Sequence, residues 1–235
     1  MNRGKVIVVE GIIGAGKSSF SRELASQLGD STLYLREPDE QDNSNPYLSD
    51  FYGAPKRWAY TMQTHLLQAR YKMHLNAQWH AMTSGNNAVL DRSYFGDTAF
   101  ARLQLNMGDM SQREFDTYQS IYHAMTASVL LPTVCVHLKV SPKVAQDRIT
   151  RRMEDQTGRR CENVISLKYL EDLAVEEEKV IHALDAQGVR VLNLPWDEDR
   201  NDPESRSDTI RGIAAYIENY QPLGDMFLDL HRRTI

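Results

Sequence analysis

Eight residues, Gly11-Ile12-Ile13-Gly14-Ala15-Gly16-Lys17-Ser18, meet every fixed position of the pattern Gly-x-x-x-x-Gly-Lys-[Ser/Thr], whose chemistry is the cradling of phosphate oxygens. Glycine lets backbone N–H groups face a phosphate unobstructed, and a helix N-terminus behind them adds partial positive charge. Lys17 is then placed to reach the β- and γ-phosphates, with the Ser18 hydroxyl on Mg²⁺. Three further groups could act beside such a loop. Glu37, in Arg36-Glu37-Pro38, is a carboxylate able to accept a proton from a hydroxyl; a strand-end charge in solvent is its plainer reading. Asp91-Arg92-Ser93 closes an apolar run with an acid, the pattern that holds Mg²⁺ directly or through water, unless it forms a structural salt bridge. Arg148, Arg151, Arg152, Arg159 and Arg160 fall within thirteen residues and read either as a solvated face or as a lid that closes on phosphates.

The surrounding pattern supplies elements to position these groups. Val6 to Val9 is a continuous β-branched run, as in a strand buried on both faces of a parallel sheet. A helix follows the loop, with Leu24, Ala25 and Leu28 at helical spacing and Gly29 as its stop. Strands are expected at Thr32–Leu35, Ala88–Asp91, Thr133–Val140 and Val189–Leu194. Between them the spacing predicts helices from Pro55 to about Thr83, at 95–107, at 111–129 capped by Ser111 and Glu114, from Pro142, at 166–186, and from Pro203 to near Asn219. The stretch after Pro38 reads as a polar loop. Strands alternating with helices make a parallel sheet covered on both faces, whose ligands sit beyond the carboxyl ends of the strands. On the long helix, Gln63 and Arg70 share the face of Met62, Leu66 and Leu67. A buried arginine needs a carboxylate, and Asp97 is the candidate. A glutamine with an Arg–Asp pair in an apolar pocket suits the edge of a nucleobase.

The chain has 235 residues, 41% of them hydrophobic, enough for one α/β domain with a full core. A net charge of −5 argues against a nucleic-acid polymer as the main partner. Two cysteines, Cys135 and Cys161, suggest neither a disulfide framework nor a Cys-rich metal site. Nothing reads as a signal peptide or as an apolar span of about 18 residues, so a soluble cytoplasmic protein with no membrane partner is expected.

Taken together, the loop, Arg36-Glu37-Pro38, Arg57-Trp58 followed by Gln63, Asp91-Arg92-Ser93 with Asp97, the arginine-rich segment and Leu167-Lys168-Tyr169-Leu170-Glu171 resemble the deoxyribonucleoside kinases over about residues 4 to 196. The resemblance implies a P-loop kinase fold, a five-stranded parallel sheet flanked by helices on both faces. It implies one domain over 1–235, with a lid at about 152–163 and a C-terminal tail at 221–235. The implied activity moves the γ-phosphate of ATP or another NTP to the 5′-hydroxyl of a deoxyribonucleoside in nucleotide salvage. By resemblance, Glu37 is the general base and Arg92 orients hydroxyl and phosphate. Asp91 and Ser18 serve Mg²⁺, and Gly11 to Ser19 (with Ile12, Ile13 and Ala15) hold the NTP phosphates. Tyr52 and Glu162 hold the sugar 3′-hydroxyl, while Met62, Gln63, Arg70 and Asp97 read the base. Lys17, Arg148, Arg152, Arg159 and Arg160 stabilise the transferring group. Arg70 with Asp97 resembles members that accept deoxyadenosine, deoxyguanosine or deoxycytidine, and the family is usually homodimeric. Trp196-Asp197-Glu198-Asp199 is placed to border the donor's base. The rival enzyme is a thymidylate-kinase-like monophosphate kinase, in which Gly-Gly usually follows Arg-Glu-Pro; here Asp39 and Glu40 follow, two acids that would repel a monophosphate. A nucleotide-dependent switch is the non-enzymatic rival, and the chain has no Asn-Lys-x-Asp motif.

Overall fold

Strand β1 (Val6–Glu10) is buried at every residue, as its unbroken β-branched run demands. The computed structural model describes residues 4–39, 44–154, 165–198 and 203–221. Around β1 lie β2 (Leu33–Leu35), β3 (Ala88–Asp91), β4 (Val134–Lys139) and β5 (Arg190–Pro195), paired in parallel in the order β2-β3-β1-β4-β5. The helices are α1 (Lys17–Gln27), α2 (Leu48–Gly53), α3 (Pro55–Ser84), α4 (Asp97–Met107), α5 (Gln112–Thr126), α6 (Pro142–Glu154), α7 (Leu167–Ala186) and α8 (Pro203–Asn219). The five-stranded parallel sheet with helices on both faces is the expected architecture.

Side chains of a strand alternate between faces, and β1 uses both. Ile7 and Val9 join a cluster with Phe20 and Leu24 of α1 and Ile210 and Ile217 of α8. Val6 and Val8 join another with Leu67 and Ala81 of α3 and Ile181 and Leu184 of α7. Register then sets the site: Val9 pairs with Asp91, Glu10 with His137, and Leu35 with Leu90. The ends of β1, β2 and β3 therefore meet at one edge.

Element boundaries agree with the pattern to within a few residues. The Ser111–Glu114 capping box is present in both directions, and Pro142 opens α6. Helix α5 ends at Thr126, short of the expected 129, where Ser128 and Val129 turn toward β4. Helix α2 lies in what the sequence presents as a loop. Six residues are too few to show a period, and its cause is tertiary: Phe51 packs with Ala59, Met62 and Leu66 of α3. Helix α3 spans 30 residues, about 45 Å, and links the core to that small outer cluster.

His74 of α3 is fully buried, its Nε2 set 2.8 Å from the Leu130 carbonyl and its ring edge-on to Phe95. Burial disfavours the imidazolium and lowers its pKa to about 4. Between about pH 6.5 and that value, the unfolded chain binds a proton that the folded chain does not. The contribution is thus complete above the unfolded pKa and is lost as pH falls. His74→Gln retains a donor for Leu130 without titrating, so its thermal midpoint should fall less than the wild-type midpoint between about pH 7 and about pH 4.5. Parallel circular-dichroism melts check this, and equal slopes would acquit His74.

Candidate active site

After Glu10 the chain turns through the glycine-rich loop into α1. Gly14 sits at φ +83°, and a Cβ there would lie 2.5 Å from the Ala145 carbonyl oxygen of α6, so no other residue fits. Lys17 folds over the loop, with Nζ donating to the carbonyls of Gly11 (2.8 Å) and Ile12 (3.0 Å). Burial and the neighbouring Arg92 lower its pKa to about 8, against the pull of Glu37 and Asp91. A cavity of about 370 Å³ opens in front of the loop. One wall is Ile13, Gly14, Gly16 to Ser19, and Arg148 and Arg152 of α6. Arg148 also donates to the carbonyls of Trp196 (2.7 Å) and Ala15 (3.4 Å), tying α6 to the loop and to the end of β5.

The opposite wall carries Glu37, Tyr52, Met62, Gln63 and Arg70. Arg70 is 3% exposed and donates to Asp97 through Nη1 and to Glu37 Oε1 through Nη2 at 2.5 Å. Burial opposes its charge, but Asp97 and Glu37 outweigh burial and hold it protonated. Arg92 Nε is ion-paired to the same Glu37 oxygen at 3.0 Å. Glu37 is thus held by two guanidinium groups while still lining the cavity. Gln63 also faces the cavity, fully buried, and neither its Oε1 nor its Nε2 has a hydrogen-bond partner among the described residues. An amide so placed costs about 1–3 kcal/mol until a ligand presents a donor beside an acceptor, as a nucleobase edge does.

Asp91 lies beneath the loop, unexposed, and among the described residues neither carboxylate oxygen makes a well-formed hydrogen bond, although the Ser18 hydroxyl and Lys17 stand beside it. Burial and the charge of Glu37 raise its pKa. Asp91 is itself absent from the cavity wall, but a buried carboxylate beside the Ser18 hydroxyl, which does line the cavity, fits a hard divalent cation that keeps most of its waters. Arg92, next in sequence, has φ +68°, a left-handed conformation that strains a non-glycine residue by about 1–3 kcal/mol. Its amide donates to the Val9 carbonyl at 3.0 Å, and its guanidinium lies 4.6 Å from the Phe100 ring centre.

Several expectations change in detail. Asp97 does not wall the cavity: it is fully buried behind Arg70, with one oxygen taken by Arg70 and the other accepting from Tyr118 at 2.5 Å. It therefore meets a ligand only through Arg70. Asp39 pairs with Arg36 at 2.6 Å and is absent from the cavity wall, so it is not an acid turned toward the acceptor. Gly11, Ile12 and Ala15 shape the loop without facing the cavity. Trp196 is buried edge-on against Phe20 rather than open to a ligand. Arg159, Arg160 and Glu162, with most of the lid expected at 152–163, lie outside the described residues, as do Glu40, Asp199 and residues 222–235 of the tail. The wall also contains Asn45, Phe100 and Tyr169, to which the sequence assigns no role. Phe100 follows Asp97 by three residues on α4, a spacing that shares one face.

The family model described as deoxynucleoside kinase matches residues 7–218. A deoxyguanosine kinase of Dictyostelium discoideum is 35% identical over 195 residues, covering 83% of this chain and 65% of that protein. A deoxyadenosine/deoxycytidine kinase of Bacillus subtilis is 30% identical over 220 residues, 93% of this chain and 96% of that one. Among solved structures, a deoxyadenosine kinase from M. mycoides with dCMP and a flexible dCDP bound superposes with a TM-score of 0.72 at 25% identity, over 90% of this chain and 99% of that one.

The buried arginine makes a stability prediction. Asp97→Ala leaves Arg70 with only part of its compensation and should lower the free energy of unfolding in urea by about 3 kcal/mol. Adding Arg70→Met removes the stranded charge and should recover part of that loss. If the double variant is as unstable as the sum of the two singles, the pair is not coupled.

Proposed function

The chain belongs to the deoxynucleoside kinase family, and on that premise we propose that it transfers the γ-phosphate of ATP or another NTP to the 5′-hydroxyl of deoxyadenosine, deoxyguanosine or deoxycytidine. One observation carries this reading: a single cavity has a phosphate loop on one wall and a doubly clamped carboxylate beside an unpartnered glutamine on the other.

Glu37 accepts the proton of the 5′-hydroxyl as that oxygen bonds to the γ-phosphorus. The bond from γ-phosphorus to the β-bridging oxygen breaks, and the NDP leaves. Lys17 and Arg92 offset charge on the transferring group, which is where phosphoryl transfer needs help. Arg148 and Arg152, with Arg159 and Arg160 of the lid, add to that field. Mg²⁺, held by Asp91 and Ser18, would screen the β- and γ-phosphate charges. Gln63, with Arg70 fixed by Asp97, reads the base edge beside Met62, and Tyr52 with Glu162 holds the 3′-hydroxyl. The deoxyguanosine and deoxyadenosine/deoxycytidine kinases that match support the three named bases, and Gln63 suits the donor–acceptor edge that each base presents. A monophosphate acceptor is not favoured, since the two relatives described above are nucleoside kinases. Residues 1–235 act as one domain in this reading. It places the enzyme in the cytoplasm, in nucleotide salvage, as a homodimer with no nucleic-acid or membrane partner. No helix among the described residues is long and apolar enough to cross a membrane, and Trp79 and Met82 at the end of α3 offer exposed apolar surface for a second subunit.

Incubation with ATP, Mg²⁺ and, separately, each deoxynucleoside, ribonucleoside and deoxynucleoside monophosphate, followed by chromatography, should yield the 5′-monophosphate of at least one of the three named deoxynucleosides. Turnover of monophosphates alone would overturn the reading. Glu37→Gln should lower kcat by about 10²-fold or more, with a much smaller change in KM. Gln63→Leu should raise the nucleoside KM by about 10-fold or more and leave the ATP KM unchanged; an unaltered nucleoside KM removes Gln63 from base reading.

A further inference from the structure

Glu10 is the last residue of β1, fully buried, directly before the phosphate loop and without a role in the chemistry above. Its Oε1 accepts from the Ser93 amide at 2.9 Å, and its Oε2 stands 3.8 Å from Arg92 Nη1. Glu177 of α7 flanks the same Nη1 at 3.8 Å and accepts from the Gly11 amide at 2.8 Å. Arg92 Nη2 donates to the Gly11 carbonyl at 3.1 Å. The guanidinium is therefore bounded by Glu37 on the cavity side and by Glu10, Glu177 and the loop backbone behind.

The turn after β3 is shaped around this carboxylate. Gly96 has φ −63°, a conformation any residue adopts, so its backbone does not call for glycine. Its space does: a Cβ at Gly96 would lie 2.6 Å from both Glu10 oxygens. The turn that begins with the strained Arg92 therefore closes on the Glu10 side chain through the Ser93 amide at one end and the bare Cα of Gly96 at the other.

We infer that Glu10 is a positioning residue for phosphoryl transfer: its carboxylate anchors the 92–96 turn and fixes Arg92 between the phosphate loop and Glu37. The inference deepens the reading of Arg92 given above and rests on it for its kinetic part. Strain in the left-handed Arg92 persists only where surrounding contacts over-determine it, and Glu10 supplies two of them. A displaced guanidinium would still leave the nucleoside pocket intact, so the loss belongs in kcat rather than in KM.

Glu10→Gln keeps an acceptor for the Ser93 amide and removes the charge facing Arg92. It should lower kcat by about 10- to 100-fold while the nucleoside KM stays within about 3-fold. In ¹⁵N NMR the Arg92 Nε–Hε signal should exchange slowly with solvent in the wild type, where the side chain is buried beside Glu37, and faster in Glu10→Gln. Gly96→Ala reaches the same carboxylate from the opposite side, should reproduce both effects, and should add nothing further in a Glu10→Ala background. Wild-type kcat in both single variants overturns the inference, as does a Gly96→Ala loss that persists in full without Glu10. If the wild-type protein phosphorylates no nucleoside, the proposed function fails instead, and the Arg92 signal in Glu10→Gln still decides whether Glu10 holds that guanidinium.

Discussion

Arg70 sits out of water between Asp97 and Glu37, and the cavity wall that carries Glu37 depends on that arrangement. Desolvating a guanidinium costs several kcal/mol, which only well-placed carboxylates offset. Both oxygens of Asp97 are engaged, by Arg70 and by Tyr118 of α5. One cluster therefore ties α3, α4, α5 and the end of β2 together. Because α3 is anchored in the core by Leu67, Ala77 and Ala81, the direction of Glu37 is inherited from packing far from the cavity. A carboxylate oriented before any ligand arrives is the kind of preorganisation that proton transfer requires.

The glycine-rich loop on the opposite wall is restrained through its backbone. Gly14 has room for no side chain against Ala145, Arg92 is held left-handed, and Gly96 is bare so that Glu10 fits. Buried acids are usually a liability. Here Glu10 and Glu177 each accept a loop or turn amide and together face one arginine. Burial raises the Glu10 pKa, and the facing Arg92 chiefly opposes that rise. The two walls meet at Arg92, which touches the Gly11 carbonyl on one side and Glu37 on the other. The loop backbone and the Glu37 carboxylate thus share a single guanidinium.

Much of this was legible in the chain. The phosphate loop is contiguous, the β1 run has one physical reading, and Glu37 and Asp91 end strands whose carboxyl edges must lie together in a parallel sheet. Arg70 was traceable to a carboxylate because a charge on an apolar helix face has to find one, and Asp97 was within reach. Helix α2 escaped notice because six residues carry no period. Glu10 escaped because, directly before the loop, it reads only as the charge that bounds the β1 run, and Glu177 because one of the consecutive glutamates of α7 looks like solvent-facing charge.

What the sequence determined by itself were the terms set by local chemistry and spacing: a loop that cradles phosphate, strands buried on both faces, a helix face that carries a glutamine and an arginine inward, and a kinase-like combination of motifs. Tertiary structure decided which charges confront one another. It made Glu37 the second partner of Arg70, set Asp97 behind the cavity wall, turned Asp39 onto Arg36, and brought Glu10 of β1 against Gly96 across more than eighty residues of chain. Ion pairing and close packing depend on distances through space, and strand register and helix packing establish those distances only when the chain folds.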